Sequence, residues 1–187
     1  MKTLALTLCA IAMVAGAQTR EQRAADRTVT PRSQDRITRE VRHELVMLPF
    51  YGVFDNLAFK VEGSTVTLLG QVTRPTLKSD AEKVTKDIEG VERVVNQIEV
   101  LPLSPMDDQI RLATYRAIYS TNGLDRYALN AVPPIHIIVN NGHVRLKGIV
   151  ATPEDGQLAY MAANGVPGVF DVKNELQVEK VEKAESK

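Results

Sequence analysis

The sequence predicts an α+β fold made of two tandem copies of one αββαβ unit. Apolar residues recur at helical spacing in some segments and alternate with polar residues, as in strands, in others. The segments follow the order helix, strand, strand, helix, strand, and this order occurs twice. Residues 61–100 align with residues 139–178 without a gap, and twelve of these forty positions are identical. Since two amphipathic helices can cover one face of a small sheet, each copy is expected to be a three-stranded mixed sheet covered on one face by two helices.

The first copy begins with a helix whose apolar residues recur at helical spacing, namely Ile37, Val41, Leu45 and Leu48. Ser33 or Asp35 is a possible N-cap, and Pro49 ends the helix. Apolar residues alternate with others in 57–61 and again in 66–72, and Gly63-Ser64 lies between the two segments, which predicts a β-hairpin. A second helix starts near Pro75 and stops at Gly90, and residues 94–100 form the last strand.

The second copy repeats these elements in the same order. Residues 110–118 predict its first helix, and residues 135–139 and 144–150 predict a hairpin around an Asn-Asn-Gly turn. The loop between them, residues 120–134, is five residues longer than in the first copy. This loop is therefore the main predicted difference between the two copies.

The ends of the chain differ in composition from the repeated part. Lys2, a mostly apolar stretch from Thr3 to Val14 and the small residues before Gln18 predict a secretory signal peptide that is cleaved after Ala17. The apolar stretch is shorter than the roughly 20 residues of a membrane-spanning helix. We therefore predict a periplasmic or secreted protein with the following organisation: signal peptide 1–17, disordered arm 18–34, first domain 35–101, linker 102–107, second domain 108–180 and disordered tail 181–187.

Composition and motifs argue against an enzyme. The single cysteine, Cys9, lies in the predicted signal peptide, and phosphate-loop, nucleophile-elbow and zinc-protease motifs are absent. His136 and His143 fall on the outward register of one hairpin and could approach each other, but without an acidic or Cys companion they make a poor metal site. Acidic and basic residues are equal at 23 each and Trp is absent, which disfavours nucleic-acid binding. No catalytic residue, metal or cofactor is expected.

The two copies resemble the BON domain, a family named after a bacterial osmotically inducible periplasmic protein and a nodulation-associated group. The resemblance rests on two repeated motifs. The first is the run 66–72 and its repeat 144–150, each of which contains a glycine. The second is the run 90–100 and its repeat 168–178, each of which begins with Gly-Val and ends with Val. It implies a non-catalytic protein of the cell envelope, associated with phospholipid or with envelope assemblies and with a role in osmotic or envelope stress protection. It implies no cofactor.

Six residues occupy equivalent positions in the copies and are interpreted as structural: Gly70, Gly90 and Asn96 in the first, and Gly148, Gly168 and Asn174 in the second. The mid-strand glycines are expected to let a helix approach the sheet, and the later glycines to end helices at positive φ. Both asparagines fall on the inward register and need hydrogen-bond partners. These are expected at the end or turn of the preceding helix, with a ligand role as the alternative.

Three stretches are candidate binding surfaces. The first is an apolar run that could insert into a lipid interface or a partner groove, or close the end of the core: Phe50, Tyr51, Val53 and Phe54. The second is a basic sheet face that could attract anionic headgroups, or be neutralised by neighbouring carboxylates: His143, Arg145, Lys147 and Lys173. The third is the arginine-rich arm between Arg20 and Arg42, which is more typical of a solvated tether.

These patterns favour an exported binding protein without catalytic activity. The expected partner is an anionic phospholipid surface or another envelope component, and two linked copies would bind one surface with higher avidity. The alternative is a structural protein–protein module that forms a homo-oligomer or docks to an envelope machine. Nucleic acid is not an expected partner.

Overall fold

The computed structural model describes residues 31–179 of the chain. The predicted signal peptide, residues 18–30 of the predicted arm and the predicted tail lie outside the described residues. Within 31–179 the chain forms two units of the same design, called domain 1 and domain 2 below. The predicted α+β class and the tandem arrangement are confirmed.

Domain 1 contains two helices and one mixed sheet. Its elements are α1 (Pro31–Val46), β1 (Asn56–Glu62), β2 (Thr65–Val72), α2 (Pro75–Lys86), β3 (Arg93–Asn96) and β4 (Glu99–Val100). Strand β1 is antiparallel to the central strand β2, while β3 and β4 are both parallel to it. The single last strand predicted for this copy is thus divided at Gln97 and Ile98, where the Ile98 N–H donates to Asn96 Oδ1 (3.1 Å).

Domain 2 repeats the same topology with a longer connection. Its elements are α3 (Pro105–Tyr119), a short 3₁₀ helix (Asp125–Leu129), β5 (Ile135–Asn140), β6 (His143–Val150), α4 (Pro153–Asn164) and β7 (Asp171–Val178). The central strand β6 is antiparallel to β5 and parallel to β7. The 3₁₀ helix lies in the loop that the sequence identifies as longer in this copy.

Two boundaries differ by a few residues from those predicted. Helix α1 already begins at Pro31, so residues 31–34 belong to domain 1 and not to the arm. Helix α3 begins at Pro105 after Ser104, whose side chain accepts from the Asp107 N–H (3.2 Å), so the linker ends before residue 105. Proline is favoured in the first turn of a helix because its missing N–H would have no partner there.

Each domain has its own hydrophobic core between the sheet and the helices. In domain 1 the inward residues of β2 pack with α1 and α2, and the fully buried members include Val66, Leu68, Val72, Leu77 and Ala81. In domain 2 the equivalent residues of β6 are Val144, Leu146 and Val150, and Ile110 and Ile118 of α3 join them. The alternation read from the sequence therefore separates buried from outward positions in both sheets.

The glycines in the central strands are needed for a reason other than the one predicted. Gly70 and Gly148 have φ of +120° and +121°. A Cβ at Gly70 would lie 2.0 Å from the Asn56 carbonyl oxygen, and one at Gly148 would lie 1.8 Å from the Pro134 carbonyl oxygen. The close neighbour is thus the backbone at the edge strand and not a helix. Gly90 and Gly168 have φ of +92° and +87° and lie in the turns after α2 and α4.

The two repeated asparagines tie the last strand to the preceding helix. Asn96 Nδ2 donates to the Lys78 carbonyl (2.9 Å) and to Glu82 Oε2 (3.0 Å), both on α2. Asn174 Nδ2 donates to the Gly156 carbonyl on α4 (3.0 Å). These bonds reach the body of the helix and not its C-terminal end, and they account for both side chains without a ligand.

Candidate functional site

The loop between α1 and β1 lies against domain 2. The Ile137 N–H of the edge strand β5 donates to the Val53 carbonyl (2.8 Å). The Phe54 ring meets Tyr115 of α3 edge-on, with centroids 6.2 Å apart, and the Tyr51 ring stacks on His136 at 5.7 Å. This loop therefore joins the two domains through one backbone hydrogen bond and two aromatic contacts.

The predicted binding role of this apolar run does not agree with its position. Val53 and Phe54 pack on the domain 2 core and Tyr51 packs on the domain 1 core, where burial raises the pKa of its hydroxyl to about 12. Phe50 stays 70% exposed, at a φ of +66° and beneath the Arg74 guanidinium, 4.8 Å from the ring centroid. Three of the four side chains are thus engaged by the domain contact, since Val53 and Phe54 pack on the domain 2 core and Tyr51 stacks on His136 of the edge strand β5.

His136 and His143 are not brought together. His136 is paired with Lys147 and His143 with Asn140, so the two rings lie near opposite ends of the hairpin. The four steps along β6 from His143 to Lys147 span about 13 Å at the rise of a β-strand. His143 instead hydrogen-bonds Asp171 through Nδ1. Within residues 31–179 no group of three or more His, Cys, Asp or Glu residues is placed to hold a metal ion.

The four predicted basic residues do share the outer face of the domain 2 sheet. Three cross-strand rows run over this face from β5 through β6 to β7: Asn140, His143 and Asp171; Ile138, Arg145 and Lys173; His136, Lys147 and Glu175. In the third row a positive charge is neutralised, since Lys147 Nζ lies 3.1 Å from Glu175 Oε2, and in the first row His143 hydrogen-bonds the Asp171 carboxylate. We call these three rows the basic face.

The middle row carries two positive charges without a matching negative one. Arg145 and Lys173 are direct neighbours on parallel strands, and neither forms an ion pair with any residue between 31 and 179. Like charges at such positions repel each other. Once the ion pairs are counted, the basic face therefore has its net positive charge at its centre.

A cavity of about 340 Å³ opens between this row and domain 1. Gln71 of β2 and Leu101, which follows β4, form its domain 1 wall, and Ile138, Arg145 and Lys173 are among its domain 2 residues. The amide oxygens of Gln71 and Asn140, both of which line the cavity, are buried without a hydrogen-bond partner in the described part of the chain. We call this space the interdomain cleft.

Exposed apolar side chains lie at one end of the basic face. Phe170 is 78% exposed, its ring lies 5.8 Å from that of His143, and its N–H donates to the Gly142 carbonyl (2.9 Å). The buried Asp107 carboxylate accepts from the N–H groups of Asn141 and Gly142 (2.9 Å each). This places the start of α3 beside the same turn, with exposed Met106 in its first turn and exposed Leu103 before it. We call Phe170, Met106 and Leu103 the apolar rim.

Neither the apolar rim nor the two amides is predicted from the sequence. Phe170 replaces Glu92 at the aligned position of the first copy, and this replacement is a signal that could have identified it. Gln71 and Asn140 carry no such signal, because their shared position depends on how the two domains meet. Among the described residues, no helix is long and apolar enough to cross a membrane.

The chain belongs to the BON domain family, and it contains the domain twice. Matches to the BON domain cover residues 33–102 and 121–180. The first match covers domain 1, while the second leaves out α3, although Ile110 and Ile118 of that helix are part of the domain 2 core. The resemblance based on the runs 66–72 and 90–100 and their repeats is thereby confirmed.

Comparisons with individual proteins add little to this assignment. Comparison with curated proteins gives no match. Two solved structures of CdsD, a structural protein of the type III secretion system of Chlamydia trachomatis, are similar at 12% identity. The first covers 77% of this chain and 93% of its own with a TM-score of 0.30; the second, the C-terminal domain, covers 75% and 95% with a TM-score of 0.27.

His136 is expected to make stability depend on pH below neutrality. Burial at the domain contact lowers its pKa, against the smaller opposing effect of the Asp55 and Gly52 backbone carbonyls. The unfolded chain then takes up a proton near pH 6.5 before the folded chain does, so this contribution is complete above pH 6.5 and is lost as the pH falls towards the folded-state pKa. Thermal melts from pH 7.5 to 5.0 should show a steeper decline for the wild type than for His136→Gln. Parallel profiles would contradict this assignment.

Proposed function

We propose that this protein is an exported, non-catalytic module that attaches to anionic phospholipid surfaces through the basic face and the apolar rim of domain 2. The observation that carries the proposal is the unpaired Arg145–Lys173 row next to exposed Phe170. Membership of the BON family and the predicted signal peptide support a place in the cell envelope, periplasmic or secreted, and a part in protection against osmotic or envelope stress.

The two surfaces can contribute to membrane binding in different ways. A basic residue close to an anionic membrane contributes about 1 kcal/mol, and this contribution weakens as salt screens it. Phe170, Met106 and Leu103 offer apolar area that can enter the headgroup region. With two uncompensated cations and a small apolar area, we expect reversible and salt-sensitive attachment.

A protein partner is the second candidate. Its support is the exposure of the three apolar side chains of the rim, since apolar groups exposed together mark interaction sites. Under this alternative the chain self-associates or docks to an envelope assembly through the rim, and the basic face has no role. Light scattering of Phe170→Ser would then show loss of an oligomer while vesicle binding stayed unchanged.

Vesicle co-sedimentation tests the proposed attachment directly. The mature chain, residues 18–187, is expected to sediment with vesicles rich in phosphatidylglycerol at low salt and to be released at high salt. Arg145→Glu with Lys173→Glu should weaken sedimentation at least tenfold, since four units of charge change at the surface. The matched control is Arg39→Glu with Lys83→Glu, which makes the same charge change on exposed helical positions of domain 1. Absence of wild-type sedimentation at low salt, or equal losses in both double variants, would refute the proposal.

A further inference from the structure

The basic face has a feature that general attraction to a charged surface does not require. The interdomain cleft is lined by residues of both domains, and its volume of about 340 Å³ is within the range of small-molecule sites. We propose that the interdomain cleft binds one phosphate group carrying a small polar substituent, such as a glycerophosphate. The inference rests on the proposed function and deepens it by naming the group that is recognised and the domain 1 residue that takes part.

The charges in the cleft point to an anionic ligand. Arg145 and Lys173 lie side by side on β6 and β7, and the carboxylate that also lines the cleft, Asp171, hydrogen-bonds His143. The cleft lining therefore has two positive charges against one negative charge. Without an anion between them, two adjacent cations in a partly enclosed space repel each other. A phosphate would accept charge-assisted hydrogen bonds from both side chains and remove this repulsion.

The amides in the cleft point to a polar substituent on that phosphate. Gln71 Oε1 and Asn140 Oδ1 are buried acceptors without a donor among residues 31–179. Buried polar atoms are nearly always satisfied, so a partner from outside the protein is expected here. After rotation of its terminal bond an amide can donate to phosphate oxygens through NH₂, and its oxygen can accept from a hydroxyl group. A glycerophosphate supplies both phosphate oxygens and hydroxyls.

Domain 1 makes this site more selective than the basic face of domain 2 alone. Gln71 and Leu101 are placed opposite Arg145 and Lys173 because the Val53 to Ile137 hydrogen bond and the Tyr51 to His136 stack join the domains nearby. The affinity of a flat basic surface for a ligand depends mainly on the charge of the ligand, whereas the affinity of a two-sided cleft also depends on the shape of the ligand. We therefore expect binding to depend on a residue of each domain.

The source of the glycerophosphate is either a lipid headgroup or a soluble ester. His143 and Asn141 line the cleft, and the apolar rim begins at the neighbouring Phe170 and Gly142. A lipid bound with its headgroup in the cleft would find these apolar side chains close to its acyl chains. A soluble phosphate ester would use the cleft alone.

NMR titration of the ¹⁵N-labelled mature chain tests the site without vesicles. The probes are glycerol 1-phosphate, inorganic phosphate and dihexanoyl-phosphatidylglycerol below its micellar concentration. We expect saturable amide shifts at Gln71 in domain 1 and at Arg145 and Lys173 in domain 2. Gln71→Glu and the exposed Lys173→Gln should each raise the Kd about tenfold or more, because each weakens or opposes a charge-assisted contact. Gln97→Glu, an exposed change of the same kind in domain 1, is the control and should leave the Kd unchanged.

The outcomes separate the inference from the proposed function. Tighter binding of the short-chain lipid than of glycerol 1-phosphate assigns the cleft to a headgroup, and equal or weaker binding of the lipid assigns it to a soluble ester; both support the site. Saturable shifts confined to domain 2, or no saturable shift with any probe, overturn the site even where vesicles still bind through Arg145 and Lys173. Glycerol 1-phosphate binding by a chain that fails to sediment with vesicles would support the site and refute membrane attachment.

Discussion

Gly148→Ala is expected to lower the stability of domain 2 by about 3 kcal/mol or more, which is a large part of the roughly 4–10 kcal/mol available to a domain of this size. The φ of +121° at Gly148 is a conformation that costs other residues about 1–3 kcal/mol. The new Cβ would also lie 1.8 Å from the Pro134 carbonyl oxygen, so the edge strand would have to move away from β6. Circular dichroism melts should show a midpoint lower by more than about 10 °C, given about 4–8 °C per kcal/mol.

Gly123→Ala is the matched control for this prediction. Gly123 also has a positive φ, of +92°, but no heavy atom lies within 4 Å of the position that the new methyl group would occupy. A loss at Gly123 within the roughly 1–3 kcal/mol of the φ cost alone, with a clearly larger loss at Gly148, would assign the difference to the backbone contact. Equal losses at both sites would show that the φ value alone is responsible and would contradict the steric explanation.

Asp107→Ala is expected to have the second largest effect, about 3–6 kcal/mol of stability. The Asp107 side chain is 1% exposed and accepts from two backbone N–H groups, those of Asn141 and Gly142, which would lose their partner. A hydrogen bond to a charged group contributes about 1.5–3 kcal/mol, and a buried donor left without an acceptor is costly. Urea denaturation of the variant should show a lower midpoint with little change in slope.

Asp108→Ala provides the control because it removes the same charge one residue further on. The Asp108 side chain is 65% exposed, and its partner Arg111 is buried but also donates to the Val139 carbonyl (2.8 Å). Because solvent screens the exposed Asp108 carboxylate, we expect a smaller loss than for Asp107→Ala. Since Asp107 also holds the turn beside Phe170, its variant should weaken vesicle binding in addition. Similar denaturation midpoints for the two variants would contradict the role given to the buried carboxylate.

The contact between the domains has two consequences for function. It occupies Tyr51, Val53 and Phe54, which removes most of the apolar run in the α1–β1 loop from any surface that could bind a lipid. It also places Gln71 against the outer face of the domain 2 sheet, and this placement forms the interdomain cleft. The same packing thus removes one predicted binding surface and completes another.

The sequence was sufficient for the fold of each domain and for the position of the basic residues. Helix and strand periodicities are local properties, and the register of a hairpin follows from its alternation and its turn, so His143, Arg145 and Lys147 had to share one face. The importance of the central-strand glycines was also visible in the repeat. The reason that these positions need glycine was not visible. The nearby carbonyl oxygens belong to Asn56 at the start of β1 and to Pro134 just before β5, and no periodicity records their distance from β2 and β6.

What the tertiary structure alone decided is which of these residues remain free to bind. Lys147 and His143 have carboxylate neighbours from β7, while Arg145 and Lys173 do not, and this difference depends on the parallel register of β6 and β7. The cleft depends further on two domains meeting over a short linker. Contacts between residues far apart in the chain are set by packing, and packing between domains leaves no period in the sequence from which it could be predicted.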